Sequence, residues 1–254
     1  MEQRTSSVVV ELQEIITENE TKSLWIFGYG SLCWNPGFRF EKAVVGHIWG
    51  YARKFWQGNN THRGTKQKPG RVATLIKEKE SKVNGIAFQI SGENALDYLH
   101  QRECKLGGYV TEFTTFYPKS GTIAFTAVLY MATCYNTLWL GDAPLCDIAN
   151  QITDCRGASG YNVEYLLRLA KVMRHHFPYE DDEHLYSLEK LVISKIKDNN
   201  MCFKSLMGDG KNITTFVKKS IVNDDNLSPE LEARIDSFQY TTRVLEKTLR
   251  CLNI

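Results

Sequence analysis

The sequence predicts an α+β fold, a mixed β-barrel or strongly curled sheet with flanking helices and a helical C-terminal half. Two observations carry this. From Leu24 to Ala132 the apolar residues fall in short runs rich in β-branched and aromatic side chains, with one helical stretch among them. From Pro144 onward the apolar spacing changes to three and four residues. Six strands with a single early helix cannot supply a helix at every crossover, which disfavours a regular βαβ array and favours a sheet that curls on itself.

Residues 1–22 read as an N-terminal extension, with a short helix around Val8–Thr17 and a polar stretch from Glu18 to Lys22. The folded domain is expected over 23–198, with strands at Leu24–Gly28, Val44–Trp56, Arg71–Ile76, Val83–Ile90, Val110–Tyr117 and Ala124–Ala132. Between the fourth and fifth strands, Ala95, Leu96 and Leu99 sit at helical spacing within Glu93–Glu103. Farther on, Leu145, Ile148, Ala149 and Ile152 form one helical stripe, and Tyr165, Leu166, Leu169, Val172 and Met173 form a second. A third helix over His184–Lys197 carries Leu185, Leu188, Leu191 and Val192. Residues 199–227 collect Gly, Asn, Asp and Lys without periodicity and read as a loop or linker. An amphipathic helix is expected over 228–254, opened by Ser228-Pro229-Glu230 as cap and first turn. Its Leu231, Ile235, Phe238, Thr242, Leu245, Leu249 and Leu252 form a heptad seam with one threonine in it. Such a seam needs a partner surface, either its own domain or a second copy of the chain.

Composition narrows the function classes. The 31 basic and 29 acidic residues leave a formal charge of +2, which supplies no global field for nucleic acid or an anionic membrane. Seven scattered cysteines form neither CxxC metal pairs nor a dense disulfide framework. No signal-like apolar stretch opens the sequence, and no run of eighteen apolar residues occurs, so a reducing cytosol is the expected home. Asn212-Ile-Thr214 matches a glycosylation acceptor and, without secretion, is read as a chance match.

The richest segment for chemistry is Leu24-Trp-Ile-Phe-Gly-Tyr-Gly-Ser-Leu-Cys-Trp34. An apolar strand runs there into a turn bracketed by Gly28 and Gly30, where several backbone N–H groups can converge on one small anion or oxyanion. Trp25, Tyr29 and Trp34 supply rigid walls. Three further segments mix glycine, aromatics and charge: Phe55–Gly64, Lys68–Val72 and Arg102–Tyr109.

Together these segments resemble the ChaC-type γ-glutamylcyclotransferases that act on glutathione. The family's FGYGSL start stands here as Phe27–Leu32 with Trp34, its FWQG…HRG as Phe55–Gly58 with His62–Gly64, and its KPGR as Lys68–Arg71. Its RE…GGY stands as Arg102-Glu103 with Gly107-Gly-Tyr109. Two later stretches, Trp139–Leu145 and Gly157–Leu166, are similar to its YLGPAPL and GxSGxNxEYL segments. The likeness spans about Leu24 to Leu191. Cys33 stands where the family is usually aliphatic, and Cys104-Lys-Leu106 lengthens the RE…GGY spacing.

The resemblance implies a γ-glutamylcyclotransferase-like fold and the splitting of glutathione into 5-oxoproline and cysteinylglycine without a cofactor. Chemically, the γ-glutamyl group carries its own nucleophile, and attack of the α-amine on the γ-carbonyl closes a five-membered ring. One carboxylate can take a proton from the ammonium and return one to the departing nitrogen. Glu103 is the candidate: it ends the predicted helix, adjoins Gly107-Gly108 and matches the family's catalytic glutamate. Glu93, beside Ser91-Gly92, suits an ordinary helix-start acid.

The expected substrate-binding residues are Phe27, Gly28, Tyr29, Gly30, Ser31 and Leu32 of the turn, with Arg53, Arg71 and Tyr109. The Tyr29–Leu32 amides suit either the oxyanion or the substrate α-carboxylate. Arg53 and Arg71 are read either as carboxylate partners or as ordinary salt bridges, and Tyr109 as a substrate contact or a strand tyrosine. His62 lacks a companion at metal-ligand spacing and is read as ordering its loop; His175-His176 reads as a helix C-terminus that favours positive charge. Cys33 as a nucleophile lacks recognisable His and Asn or Asp partners. Rival functions are a cyclotransferase for other γ-glutamyl amines or peptides, a non-catalytic glutathione-binding module, and an interaction scaffold built on the terminal seam.

Overall fold

In a computed structural model, the described residues are 23–91 and 109–208, with two-residue strands at 217–218 and 240–241. Five strands, β1 (Ser23–Gly28), β2 (Lys42–Asn59), β3 (Gly70–Ser91), β4 (Val110–Pro118) and β5 (Phe125–Met131), close a barrel in the order β1-β3-β2-β4-β5. Parallel pairing of Ile26 with Val128 closes it, and the other ladders are antiparallel. Closure leaves neither a β1 nor a β5 edge unpaired. Ile26, Phe27, Ile48, Phe88, Phe116 and Leu129 are fully buried in the core.

The strands expected at 71–76 and 83–90 are one strand, β3. Lys77–Lys82, a charged run that reads as a break, is absorbed in a bulge: Trp49 pairs with Lys82 while Tyr51 pairs with Lys77. Gly50 takes up the bend at φ +83, and residues 77–80 are exposed, so the charges stay in water while the ladder continues.

Three helices follow the barrel: α1 (Leu145–Asp154), α2 (Asn162–His176) and α3 (Glu183–Asp198). Their predicted stripes are the buried faces: Ile148, Ala149 and Ile152 on α1, Leu166, Leu169 and Met173 on α2, and Leu185, Leu188 and Val192 on α3. A two-residue hairpin, β6 (Arg156–Gly157) and β7 (Gly160–Tyr161), turns α1 into α2. Asp182 caps α3, accepting the Leu185 N–H at 3.1 Å.

The packed unit runs past residue 198, where a loop was expected. A single turn, α4 (Phe203–Leu206), buries Leu206, and Arg168 Nη2 donates to the Met207 carbonyl at 2.8 Å. Strands β8 (Val217–Lys218) and β9 (Tyr240–Thr241) pair antiparallel. Tyr240 and Thr241 are therefore extended inside the segment expected as helix, in a run of aromatic and β-branched residues that suits a strand. The rest of 228–254, the extension 1–22 and the predicted Glu93–Glu103 helix, with Glu103 itself, lie outside the described residues.

Candidate functional site

One end of the barrel gathers the glycine turn. β1 leaves the sheet at Gly28, and the chain makes a tight 3-10 turn in which the Cys33 N–H donates to the Gly30 carbonyl at 3.0 Å. The Trp34 and Asn35 N–H groups both donate to the Ser31 carbonyl. Neither the Gly30 nor the Leu32 N–H reaches a backbone carbonyl among the described residues. Tyr29 crosses to β5, its hydroxyl donating to the Tyr130 carbonyl at 2.7 Å. Thr74 on β3 ties in the end of β5, exchanging hydrogen bonds with the Ala132 backbone at 3.1 and 3.2 Å. Val110 pairs with Met131, so β4 begins, and Tyr109 stands, at this same end. Ser91, where β3 ends, pairs with Ser23 at the opposite end.

Glycine is required in the turn by crowding. A β-carbon on Gly28 would lie 2.8 Å from Leu32 Cβ, and one on Gly30 would lie 2.7 Å from the Tyr165 hydroxyl. Tyr165 comes from α2, with its ring held edge-on by Trp34 at 5.1 Å and Phe55 at 6.0 Å. Its oxygen accepts the Ala73 N–H at 3.2 Å.

A second cluster clamps α2 to the barrel. Asn162, fully buried, pairs with the Arg71 backbone as a neighbouring strand would: its Oδ1 accepts the Arg71 N–H at 2.6 Å and its Nδ2 donates to the Arg71 carbonyl at 2.8 Å. Arg63 donates to Glu164 at 2.7 Å and to the Tyr161 carbonyl at 3.0 Å, while Arg168 grips Glu164 from the next turn of the helix. Gly157 lets the hairpin lie against the chain, since a β-carbon there would stand 2.4 Å from the His62 carbonyl carbon. Gln151 and Cys155 both donate to the Pro69 carbonyl.

This architecture has known counterparts. Residues 24–195 match the family described as ChaC-like protein. The chain belongs to the ChaC-like family. A Danio rerio relative, glutathione-specific gamma-glutamylcyclotransferase 1, is 47% identical over 179 residues, which cover 69% of this chain and 91% of that one. The Homo sapiens relative of the same name is also 47% identical, over 69% of this chain and 81% of its own. A crystal structure of a glutathione-specific gamma-glutamyl cyclotransferase from yeast matches with a TM-score of 0.61 at 26% identity, covering 68% of this chain and 96% of that one.

In this ChaC-like chain the expected site residues divide. Phe27 is a core residue; Gly28, Tyr29, Gly30, Ser31 and Leu32 form the turn, and Tyr109 stands at the same barrel end. Arg53 and Arg71 both spend side-chain hydrogen bonds within the protein, although the buried Arg53 Nε has no partner among the described residues. Arg53 is 3% exposed and pairs with Asp182, donating also to the Asn84 carbonyl and Met173 Sδ. Arg71 donates through Nε to Gln151 at 2.7 Å and through Nη1 to the carbonyls of Phe55 and Gly141 at 3.0 and 2.8 Å. A buried cation needs such local partners, which is why both side chains are bonded within the protein.

Cys33 is buried, its thiol donating to the Gly28 carbonyl at 3.1 Å, and burial pushes its pKa to about 12. A thiol held that firmly in its neutral form is no nucleophile. His62 Nδ1 lies 3.0 Å from Ser159 Oγ, joining its loop to the hairpin as expected of an ordering residue. Burial, with His175 and Lys119 nearby, lowers His176 to about 4, so it is neutral where positive charge was expected; Lys119 instead donates to the His176 carbonyl at the helix end. Among the described residues, no three His, Cys, Asp or Glu side chains gather as metal ligands would, and no helix is long and apolar enough to cross a membrane.

Tyr165 was legible only as part of an apolar stripe. Its place inside the Gly157–Leu166 motif, which the barrel end uses, is the signal that sets it apart.

Proposed function

We propose that this protein is a glutathione-specific γ-glutamylcyclotransferase, releasing 5-oxoproline and cysteinylglycine, with Glu103 as its general acid and base. The observation that carries the reading is the meeting, at one barrel end, of the glycine turn and the start of β4. Glu103 precedes Tyr109 by six residues, so the backbone tethers it within about 20 Å of that end. The names of the 47% identical relatives support the substrate.

The reaction needs neither water nor a redox partner. The α-ammonium of the γ-glutamyl group gives a proton to the Glu103 carboxylate, and the freed amine attacks the γ-carbonyl carbon. The turn amides hold the negative oxygen that develops, or fix the α-carboxylate that orients the chain for ring closure. Collapse breaks the amide bond as the Glu103 proton passes to the departing cysteinyl nitrogen; the ring nitrogen, still carrying two protons, then gives one through Glu103 to the freed amine, leaving the neutral lactam and a cysteinylglycine ammonium. Tyr109 contacts the substrate near this centre, while Arg53 and Arg71 support the turn from within the fold.

Glu103→Gln keeps the shape and removes the base. Turnover is expected to fall by roughly 10²- to 10⁴-fold with an unchanged thermal midpoint. Near-wild-type release of 5-oxoproline would move the role to another residue. The cytosol suits the reading, since the five described cysteines are free thiols. Self-association through 228–254 is tested by sizing the protein with and without those residues.

A further inference from the structure

We infer that the Tyr165 hydroxyl is a further substrate contact, donating its hydrogen bond to the same negatively charged oxygen that the Gly30–Leu32 amides receive. The identity of the ligand rests on the function proposed above; the contact itself rests on three observations.

The first is position. The Tyr165 oxygen lies 2.7 Å from where a β-carbon on Gly30 would stand, and only the missing side chain lets the phenol touch the turn. The second is hydrogen bonding. A phenol has one proton to give, and here the oxygen accepts from Ala73 N–H at 3.2 Å while the proton meets no acceptor among the described residues. At 5% exposure the side chain cannot hand that proton to bulk water, and a buried donor without a partner is a cost that a ligand acceptor removes. The third is fixation. Trp34 and Phe55 hold the ring, and the Asn162–Arg71 and Glu164–Arg63 pairs hold the helix that carries it, so the oxygen is placed before any ligand arrives.

Burial also keeps the group a donor, its pKa pushed up to about 12, so the phenol stays protonated across the neutral range. The partner is an anionic oxygen, supplied either by the substrate α-carboxylate or by the oxyanion of ring closure.

The test is Tyr165→Phe, read by 5-oxoproline release from glutathione, by inhibition with 5-oxoproline and by thermal unfolding. Losing a hydrogen bond to a charged oxygen lowers kcat/KM by roughly ten- to hundredfold. A higher KM with weaker 5-oxoproline inhibition assigns the carboxylate, which the product retains; a lower kcat at constant KM assigns the oxyanion. A purely structural tyrosine lowers the thermal midpoint alone, and kcat/KM within about twofold of wild type overturns the inference. Should the variant not fold, 5-oxoproline titrated into wild-type protein carbon-13-labelled at the tyrosine ζ-carbons decides by NMR: a shift of the Tyr165 resonance supports the contact, and no shift overturns it. Wild-type protein that releases no 5-oxoproline refutes the functional reading itself. Glutathione binding by calorimetry then decides the contact, weaker binding to Tyr165→Phe supporting it and equal binding overturning it.

Discussion

The glycine turn and the clamp beneath it are built from the same kind of residues and use them in opposite ways. At the turn, Gly30 and Leu32 N–H groups and the Tyr165 hydroxyl lack acceptors within the described protein, so polar capacity is left for a ligand. In the clamp, Asn162, Arg63, Glu164 and Arg71 answer one another almost completely. Both regions carry family-like motifs, yet only one has groups to offer a substrate. A short motif thus marks a residue as necessary without saying whether it is needed for chemistry or for holding the chemistry in place.

Substitutions should separate the two regions by what they change. Removing the partner of the buried Arg53 is expected to have the largest effect on stability: Asp182→Ala leaves an uncompensated cation and uncaps α3, costing about 3–5 kcal/mol in urea unfolding. Loss of activity without loss of stability would place Arg53 in the site after all. Asn162→Ala strands a buried N–H and carbonyl on Arg71 and should cost about 2–4 kcal/mol, with the folded fraction keeping its KM. A raised KM at normal stability would merge clamp and turn into one functional unit.

The smallest effect is pH-dependent. His184 Nε2 accepts the Phe55 N–H at 3.0 Å, and burial, then Lys54, lowers its pKa to about 4. The unfolded chain takes up this proton near 6.5, so between those values it binds more protons than the native state. Stability should therefore fall as pH drops from about 6.5 toward 4 and be flat in this respect above it. His184→Gln retains an acceptor without titrating, so its urea midpoint should decline less over that window. An equal decline in both proteins would remove His184 from the account.

Much of the fold was legible because burial is written in spacing. The stripes at Ile148, Leu169 and Leu188 are the inner faces of α1, α2 and α3, and the β-branched runs are the strands. The single strand β3 was not legible, since Lys77–Lys82 looks like a turn until Gly50 on the neighbouring strand accommodates it. Likewise Tyr240–Thr241 lies between the seam positions Phe238 and Thr242 yet suits a strand by residue type. At the site, the glycine turn showed itself through composition, but the fates of Arg53 and Arg71 did not. Whether a guanidinium meets a ligand or a side chain of the fold depends on Asp182 and Gln151, which stand 129 and 80 residues away in the chain.

The central claim is that the bound γ-glutamyl group closes on its own amine. Product analysis by NMR, with purified protein and reduced glutathione, tests it most directly. Equal amounts of 5-oxoproline and cysteinylglycine, with no free glutamate, are the predicted result; free glutamate in place of 5-oxoproline would mean that water is the nucleophile and would contradict it.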